Sequence, residues 1–368
     1  MQIFSSIIGQ NTIIDHLAGA LETGNISHAY ILSGDSGSGR RTIASAFAAA
    51  LQCGNLQWEE VPAGRREEEN SYNRPGSGSG QEKRRMLPRP CGKCLSCVQA
   101  ASGNHPDIIT VTHEKPNSIG VDEIRRMRAD IQIKPYANPY KVYIIPDAEK
   151  MTVQAQNALL KTLEEPPEYA VLLLIANGTE NFLPTILSRC VLLRMRAVPE
   201  VEIAAFLRSH AQEKPDEKDG KSDDRMLITA RFAGGNPGRA LQLLSDEAFL
   251  ELRDRTIGLL QHLHTCDVGA ITAFAGSVES AQREDMMNMV LMWYRDILLY
   301  RRTASTDNLI FDEDLQYIIE AADMLSAEAL GQIMDAVSEG SRRLHSNVAA
   351  EAVLETMFLK IRGAYRQR

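Results

Sequence analysis

The sequence predicts an α/β domain built on a parallel sheet, followed by all-α segments. Three observations carry this. Short β-rich apolar runs alternate with helical patterns over residues 1–195; a glycine loop joins the first run to an alanine-rich helix; and after about Ala197 only helical patterns remain. A chain of 368 residues holds roughly two to three domains. The shifts in pattern divide it into a core at 1–196, a small helical domain at 197–244 and a C-terminal helical domain at 245–368.

The apolar runs are Ala29–Ser33, Asp107–Val111, Lys141–Ile145, Ala170–Ile175 and Cys190–Leu193. They are apolar on both faces, as strands of a helix-covered parallel sheet are. Helical patterns start near Thr42, near Val121 and after Thr152. In the last of these, Ala155, Ala158, Leu159 and Leu163 form the apolar side, and Glu164-Glu-Pro-Pro167 ends it because proline cannot continue a helix. Gly54 to Pro90 breaks the rhythm. It carries Arg65-Arg-Glu-Glu-Glu69 and Pro75-Gly-Ser-Gly-Ser-Gly80, with few apolar residues and no period, and reads as a disordered surface insertion over about 55–89. Further on, Val201–His210 reads as a helix, Gln212–Asp224 as a charged loop and Asp224–Ala233 as a helix. Gly234-Gly-Asn-Pro-Gly238 is a stop and restart, after which Gly238–Leu244 is helical. Met286, Met289, Val290, Trp293, Ile297 and Tyr300 form one helical stripe; Leu330, Ile333, Met334, Val337 and Leu344 form another, with Ser326 as its N-cap.

Forty basic against 48 acidic side chains give a net charge of −8, which argues against a protein that coats nucleic acid electrostatically. No apolar run reaches the roughly 18 residues of a membrane span, and Met1–Gln10 lacks the pattern of a secretory signal, so the expected location is cytoplasmic with no membrane partner. Six cysteines in such a chain are read for metal rather than for disulfides.

The first strand runs into Gly34-Asp-Ser-Gly37-Ser-Gly39-Arg40-Arg41-Thr42. Strand, glycine loop and helix are the context of a phosphate loop, in which backbone N–H groups cradle phosphate. The full motif places Lys and then Ser or Thr where Arg40 and Arg41 stand. A guanidinium does not simply replace the compact ammonium, and Arg41 puts a cation where a hydroxyl would hold Mg²⁺. Thr42 is one position late, about 100° around the helix. The acidic element is altered too: Pro146 stands where a metal-linked Asp belongs, and Asp147 is left to mimic the neighbouring Glu. These changes predict a P-loop-like fold without ATP turnover. ATP or ADP binding through backbone groups stays open.

Cys91-Gly-Lys-Cys94-Leu-Ser-Cys97 gives C-x₂-C-x₂-C, and Cys53 closes the helix after the glycine loop. Four thiolates satisfy a structural Zn²⁺, and the long gap to Cys53 costs little closure entropy. Cys190 and Cys266 read as packed thiols. A zinc-dependent nucleic-acid-binding module would draw on Lys93, Arg84, Arg85 and Arg89, but Glu67–Glu69 and the net charge oppose it.

Asn157-Ala-Leu-Leu-Lys-Thr-Leu-Glu-Glu-Pro-Pro167, Ile186-Leu-Ser-Arg-Cys190, Ser27-His-Ala-Tyr30 and the four-cysteine module together resemble the bacterial clamp-loader subunits of DNA polymerase III, strongly over residues 1 to about 245. Gamma and tau members of that family are ATPases with intact Lys-Thr and Asp-Glu motifs. Delta-prime members lack them, and this sequence resembles that branch. The resemblance implies an AAA+ core, a helical lid and a C-terminal collar that oligomerises. It implies assembly with gamma or tau and delta subunits, and loading of the sliding clamp onto primer–template DNA during replication. It makes Arg189 an arginine finger offered in trans to a neighbour's ATP site. Arg239 and Asn177 fall at the positions of nucleotide sensors, and Arg125, Arg126 and Arg128 form a small basic cluster. The alternative is a gamma-like ATPase whose degenerate motifs still work; Arg40, Arg41 and Pro146 argue against it. No pair of metal-binding carboxylates is placed to make a polymerase site.

Overall fold

The structure, a computed structural model, describes residues 4–62, 84–112, 118–211, 221–306, 309–344 and 349–365; of residues 62, 84, 211 and 221–225 only the backbone is described. The chain forms two compact units. One is Met1–Phe206 with Gly235–Arg239, and the other is Leu207–Gly234 with Ala240–Arg368.

The first unit carries strands β1 (Ala29–Ser33), β2 (Gln57–Pro62), β3 (Arg84–Arg89), β4 (Ile108–Thr110), β5 (Lys141–Ile145), β6 (Ala170–Ala176) and β7 (Val191–Arg194). Its helices are α1 (Asn11–Thr23), α2 (Arg40–Leu51), α3 (Leu95–Ser102), α4 (Val121–Asp130), α5 (Val153–Glu164) and the short α6 (Pro184–Leu187). Five strands pair in parallel in the order β4-β5-β6-β1-β7, with Ala29 opposite Leu172, Tyr30 opposite Val191 and Ile145 opposite Leu174. Every residue of β1, β5 and β6 is buried. Successive side chains face opposite sides of a strand. Tyr30, Leu32, Val171 and Leu173 therefore pack with Ile14, Leu17, Ile43 and Phe47 of α1 and α2, while Ile31, Tyr143, Leu172 and Leu174 pack with Ile124, Met127, Leu159 and Leu163 of α4 and α5. Burying such a side chain fully is worth about 1.5–3 kcal/mol. This two-sided core fixes the carboxyl edge of the sheet, where open α/β folds place their ligands.

The insertion expected to be disordered over about 55–89 is partly ordered. β2 and β3 pair antiparallel, from Gln57 opposite Arg89 to Pro62 opposite Arg84. Apolar residues scattered among charges on both faces of the ribbon hid it: Leu87 is buried, and Trp58 and Val61 pack against the same apolar cluster as α1 and α2. Arg85 pairs with Asp15 of α1 at 3.0 Å, and Arg89 with Glu59 across the ribbon at 3.4 Å. Residues 63–83, with the glycine–serine run and Glu67–Glu69, lie outside the described residues.

Between the sheet and the C-terminal segment lie α7 (Glu200–Ala211), α8 (Lys221–Phe232) and α9 (Pro237–Ser245). Of the loop expected at 212–224, residues 212–220 lie outside the described residues, and 221–224 already belong to α8. Pro237 opens α9, where its fixed φ and missing N–H cost nothing. The second unit continues with α10 (Glu247–His262), α11 (Val268–Ser277), α12 (Arg283–Thr303), α13 (Leu315–Met324), α14 (Ala327–Leu344) and α15 (Ala350–Ala364). Met286, Met289, Val290, Trp293 and Ile297 enter its core as the stripe predicts, with Tyr300 and Met334 at the margin. Ser326 caps α14 by accepting the Ala329 N–H at 3.1 Å. Asp296, fully buried on α12, accepts the N–H groups of Ile310 and Phe311 and pairs with Arg295 at 2.8 Å. No helix among the described residues is long and apolar enough to cross a membrane.

Candidate functional site

The carboxyl ends of β1, β5 and β6 bring together the glycine loop, Pro146–Glu149 and Asn177. The loop leaves β1 at Gly34, whose N–H donates to the Ala176 carbonyl at the end of β6 at 3.2 Å. Gly37 and Gly39 have φ of 88° and 96°, left-handed values that favour glycine, and Gly39 is the N-cap of α2. The shape is that of a phosphate cradle. Its surroundings are not those of an open one.

Arg40, in the first turn of α2, donates from Nη2 to Asn177 Oδ1 at 2.7 Å, and Asn177 Nδ2 donates to Glu149 Oε1 at 2.8 Å. Burial holds the Arg40 guanidinium below its ordinary pKa, opposed by the negative charges of Glu149, Asp147 and Asp35. Arg40 is thus turned into the site and engaged by its own chain. Arg41 is exposed and Thr42 half-buried. The acidic residue joined to this chain of hydrogen bonds is Glu149, which the sequence reading did not single out. Asp147 sits at φ 51°, and its carboxylate takes a contact from Lys150 at 3.4 Å. The short helical turn Ala148–Lys150 moves the useful carboxylate two positions on; a motif read position by position misses it. Glu149 Oε2 and Ser38 Oγ are buried with no hydrogen-bond partner.

A second layer covers the loop. Asn236 Nδ2 donates to the Ser36 carbonyl at 2.6 Å, and the Gly238 N–H donates to the Gly37 carbonyl at 3.0 Å. Asn236 Oδ1 also accepts the Arg239 N–H at 3.1 Å. A Cβ built on Gly238 would fall 2.7 Å from Gly37 Cα, so both glycines are required by backbone-to-backbone approach. The stop-and-restart motif therefore does more than end a helix: it seats Gly235–Arg239 on the phosphate loop. The sequence signal was the Gly-Gly-Asn-Pro-Gly run, read only as punctuation.

Arg189 lies just past α6, apart from the Arg40 network. Its Nη2 meets Glu164 Oε1 at 3.0 Å, and its Nη1 donates to the Thr185 carbonyl at 3.1 Å and towards Ser188 Oγ at 3.4 Å. Its side chain is 36% exposed. Arg125 and Arg126 are exposed on α4, Arg125 paired with Asp122 at 3.2 Å. Cys190 is a largely buried thiol, its pKa pushed up to about 12 by burial.

The four cysteines converge. The Sγ atoms of Cys53, Cys91, Cys94 and Cys97 all lie within 4.8 Å of one another, Cys91 and Cys97 at 3.9 Å. Zn–S bonds of about 2.3 Å in a tetrahedron would place sulfurs about 3.8 Å apart. The Cys91 N–H points at Cys53 Sγ at 3.2 Å and the Cys94 N–H at Cys91 Sγ at 3.4 Å, so backbone donors face the sulfurs. Those of Lys93 and Cys94 draw the Cys91 thiol down to about 6, while burial pushes Cys97 and Cys53 up. The convergence of four sulfurs at near-tetrahedral spacing supplies a full ligand set and leaves no place for a reactive water. The residues fit a structural metal.

A parallel sheet with a P-loop-like turn, a four-thiol cluster and a C-terminal helical unit define the class. A family model described as DNA polymerase III, delta subunit, matches residues 9–72 and 79–199, just over half of the chain. The chain belongs to this family of DNA polymerase III clamp-loader subunits. It is 26% identical over 384 residues to subunit tau of Bacillus subtilis, covering 98% of this chain and 61% of that protein. It is 29% identical over 274 residues to subunit tau/gamma of Haemophilus influenzae, covering 72% and 35%. Against subunit delta′ of Bacillus subtilis it is 26% identical over 359 residues, covering 96% of each. The chain thus spans less than two thirds of those tau and tau/gamma proteins. A solved DNA polymerase III gamma subunit-related protein of Thermotoga maritima aligns at 18% identity and a TM-score of 0.37, over 95% of this chain and 99% of that one.

Proposed function

We propose that this chain is a non-catalytic, delta-prime-type subunit of the bacterial replicative clamp loader. It assembles with gamma or tau and with delta, offers Arg189 to a neighbour's ATP site, and so helps place the sliding clamp on primer–template DNA in the cytoplasm. The division into a core at 1–196, a lid at 197–244 and a collar at 245–368 belongs to this reading, as does zinc as the metal of the four thiolates.

The observation that carries it is the Arg40–Asn177–Glu149 chain of hydrogen bonds. In an ATPase, the loop cation, the acidic residue after β5 and the polar residue after β6 serve nucleotide and metal. Here they serve each other, and the adjoining loop is already hydrogen-bonded to Asn236 and Gly238. A guanidinium on a bound neighbour's phosphate is a different case, worth about 10³–10⁵ in rate when it is an arginine finger. Arg189, partly exposed at the end of a short helix, has the reach for that. The gamma-like ATPase reading draws on Glu149 Oε2, a buried acceptor without a partner.

The test is ATP hydrolysis by the chain alone and after mixing with a gamma or tau subunit, wild type against Arg189→Ala. The expected result is no turnover alone and Arg189-dependent turnover in the mixture. Mg²⁺-dependent turnover by the isolated chain would overturn the reading in favour of an ATPase.

A further inference from the structure

We infer that Glu164 is a positioning residue that holds Arg189 on its own chain and competes with phosphate for it. This rests on the reading of Arg189 as a finger.

Glu164 is the last residue of α5, and Pro166 and Pro167 follow it. A carboxylate at a helix C-terminus faces the negative end of the helix dipole, which disfavours it there. The Arg189 cation, 3.0 Å away, offsets that mismatch. The guanidinium's donors are divided. Nη1 serves the Thr185 carbonyl, in the helix that precedes Arg189, and so sets where the guanidinium sits. Nη2 meets Glu164. A phosphate oxygen that takes the Nη2 hydrogen facing Glu164 must replace that carboxylate, and one that takes the other Nη2 hydrogen must share the guanidinium with it. The exchange is chemically even, because carboxylate and phosphate present the same kind of acceptor to a guanidinium.

The exposure of the pair sets the strength of the hold. Arg189 is 36% exposed and Glu164 50%, so water screens the attraction. An exposed pair of this kind shifts an equilibrium by roughly two- to five-fold. Glu164 is thus a bias that a bound neighbour overcomes, not a block. Without it, Nη2 would be offered continuously.

The experiment uses the complex reassembled with gamma or tau and delta subunits, and measures ATP turnover without clamp or DNA. Glu164→Gln keeps the shape and removes the charge. The expected result is a rise of about two- to five-fold in the Arg189-dependent part of turnover, with no rise of Glu164→Gln/Arg189→Ala over Arg189→Ala. Unchanged or lower turnover in Glu164→Gln would overturn the inference. So would a rise that persists in the double variant, because it would not pass through Arg189. If Arg189→Ala itself has no effect, the finger reading fails first, and the two failures are told apart.

Discussion

Removing Arg40 separates an internally satisfied site from one waiting for nucleotide. In an ATPase without its ligand, the loop cation faces open solvent, and its loss leaves stability unchanged or improved. Here Arg40 makes a charge-assisted hydrogen bond of 2.7 Å to Asn177, backed by the 2.8 Å bond from Asn177 to Glu149. Such a bond contributes about 1.5–3 kcal/mol, and partial exposure brings the expected loss in Arg40→Ala to about 1–2 kcal/mol. In a unit of this size each kcal/mol moves Tm by about 2–4 °C, so Tm should fall by about 2–8 °C. The assay is thermal unfolding followed by tryptophan fluorescence. Trp58 lies in the first unit and Trp293 in the second, so a Trp293→Phe background makes Trp58 report the relevant unit. The companion measurement adds millimolar MgATP to the wild type. A ligand at a hundred times its Kd would add about 2.7 kcal/mol and raise Tm by about 5–11 °C; no shift is expected. An unchanged or higher Tm in Arg40→Ala, or a clear rise with MgATP, would refute the reasoning.

The metal centre and the ion pair of a buried lysine with a half-exposed carboxylate give two more outcomes. Metal analysis of the purified chain should find one zinc per chain, lost in Cys94→Ser together with hydrogen-exchange protection of α3; a wild type without metal would contradict the geometry. Lys141, 3% exposed, meets Asp130 at 2.9 Å, and Tyr143 donates to the same carboxylate at 2.6 Å. Burial acts to raise the Asp130 pKa, but the Tyr143 and Lys141 hydrogen bonds outweigh it, and the net direction is down. A depressed folded pKa stabilises above the unfolded value of about 3.9 and is lost as pH falls through the folded value, so Asp130→Asn should flatten that acid limb of the stability curve. Lys141 keeps the carbonyls of residues 130 and 133, which limits the cost at neutral pH to about 2 kcal/mol, below the range for a fully buried broken pair. Urea unfolding from pH 3 to 7 would show it; an undiminished acid slope in the variant would contradict the assignment.

The sheet was legible because its strands are buried on both faces: Ala29–Ser33, Lys141–Ile145 and Ala170–Ile175 are mostly apolar and buried throughout. The thiol cluster was legible because short spacings leave little conformational choice. β2 and β3 were not. Their apolar residues, Trp58, Val61 and Leu87, share no single alternating face and are separated by charges that pair along the ribbon and with α1, so composition looked like disorder. Glu149 was missed for a local reason: the helical turn after Pro146 shifts the acidic partner by two residues, which no fixed motif encodes. Asn236 and Gly238 were visible as residue types but not as neighbours of Ser36 and Gly37, since nothing local records a contact across 200 positions.

Two arginines of similar exposure sit in different networks, and the nature of their acceptors separates them. Arg40 and Arg189 each contact an oxygen of their own chain at 2.7–3.1 Å. The acceptor of Arg40, Asn177, is itself committed to Glu149, so withdrawing Arg40 leaves a row of polar groups to be satisfied anew. Arg189 contacts a carboxylate that is half exposed; water can take over each partner when the pair parts, so separation costs little. A cation whose acceptor is itself committed lends rigidity to the edge of the sheet, whereas a cation in a half-exposed ion pair can be transferred to another acceptor. Under the proposed function, the first arrangement would serve as a support and the second as a donor. The two networks are joined in the chain by α5, which begins a few residues after Glu149 and ends at Glu164.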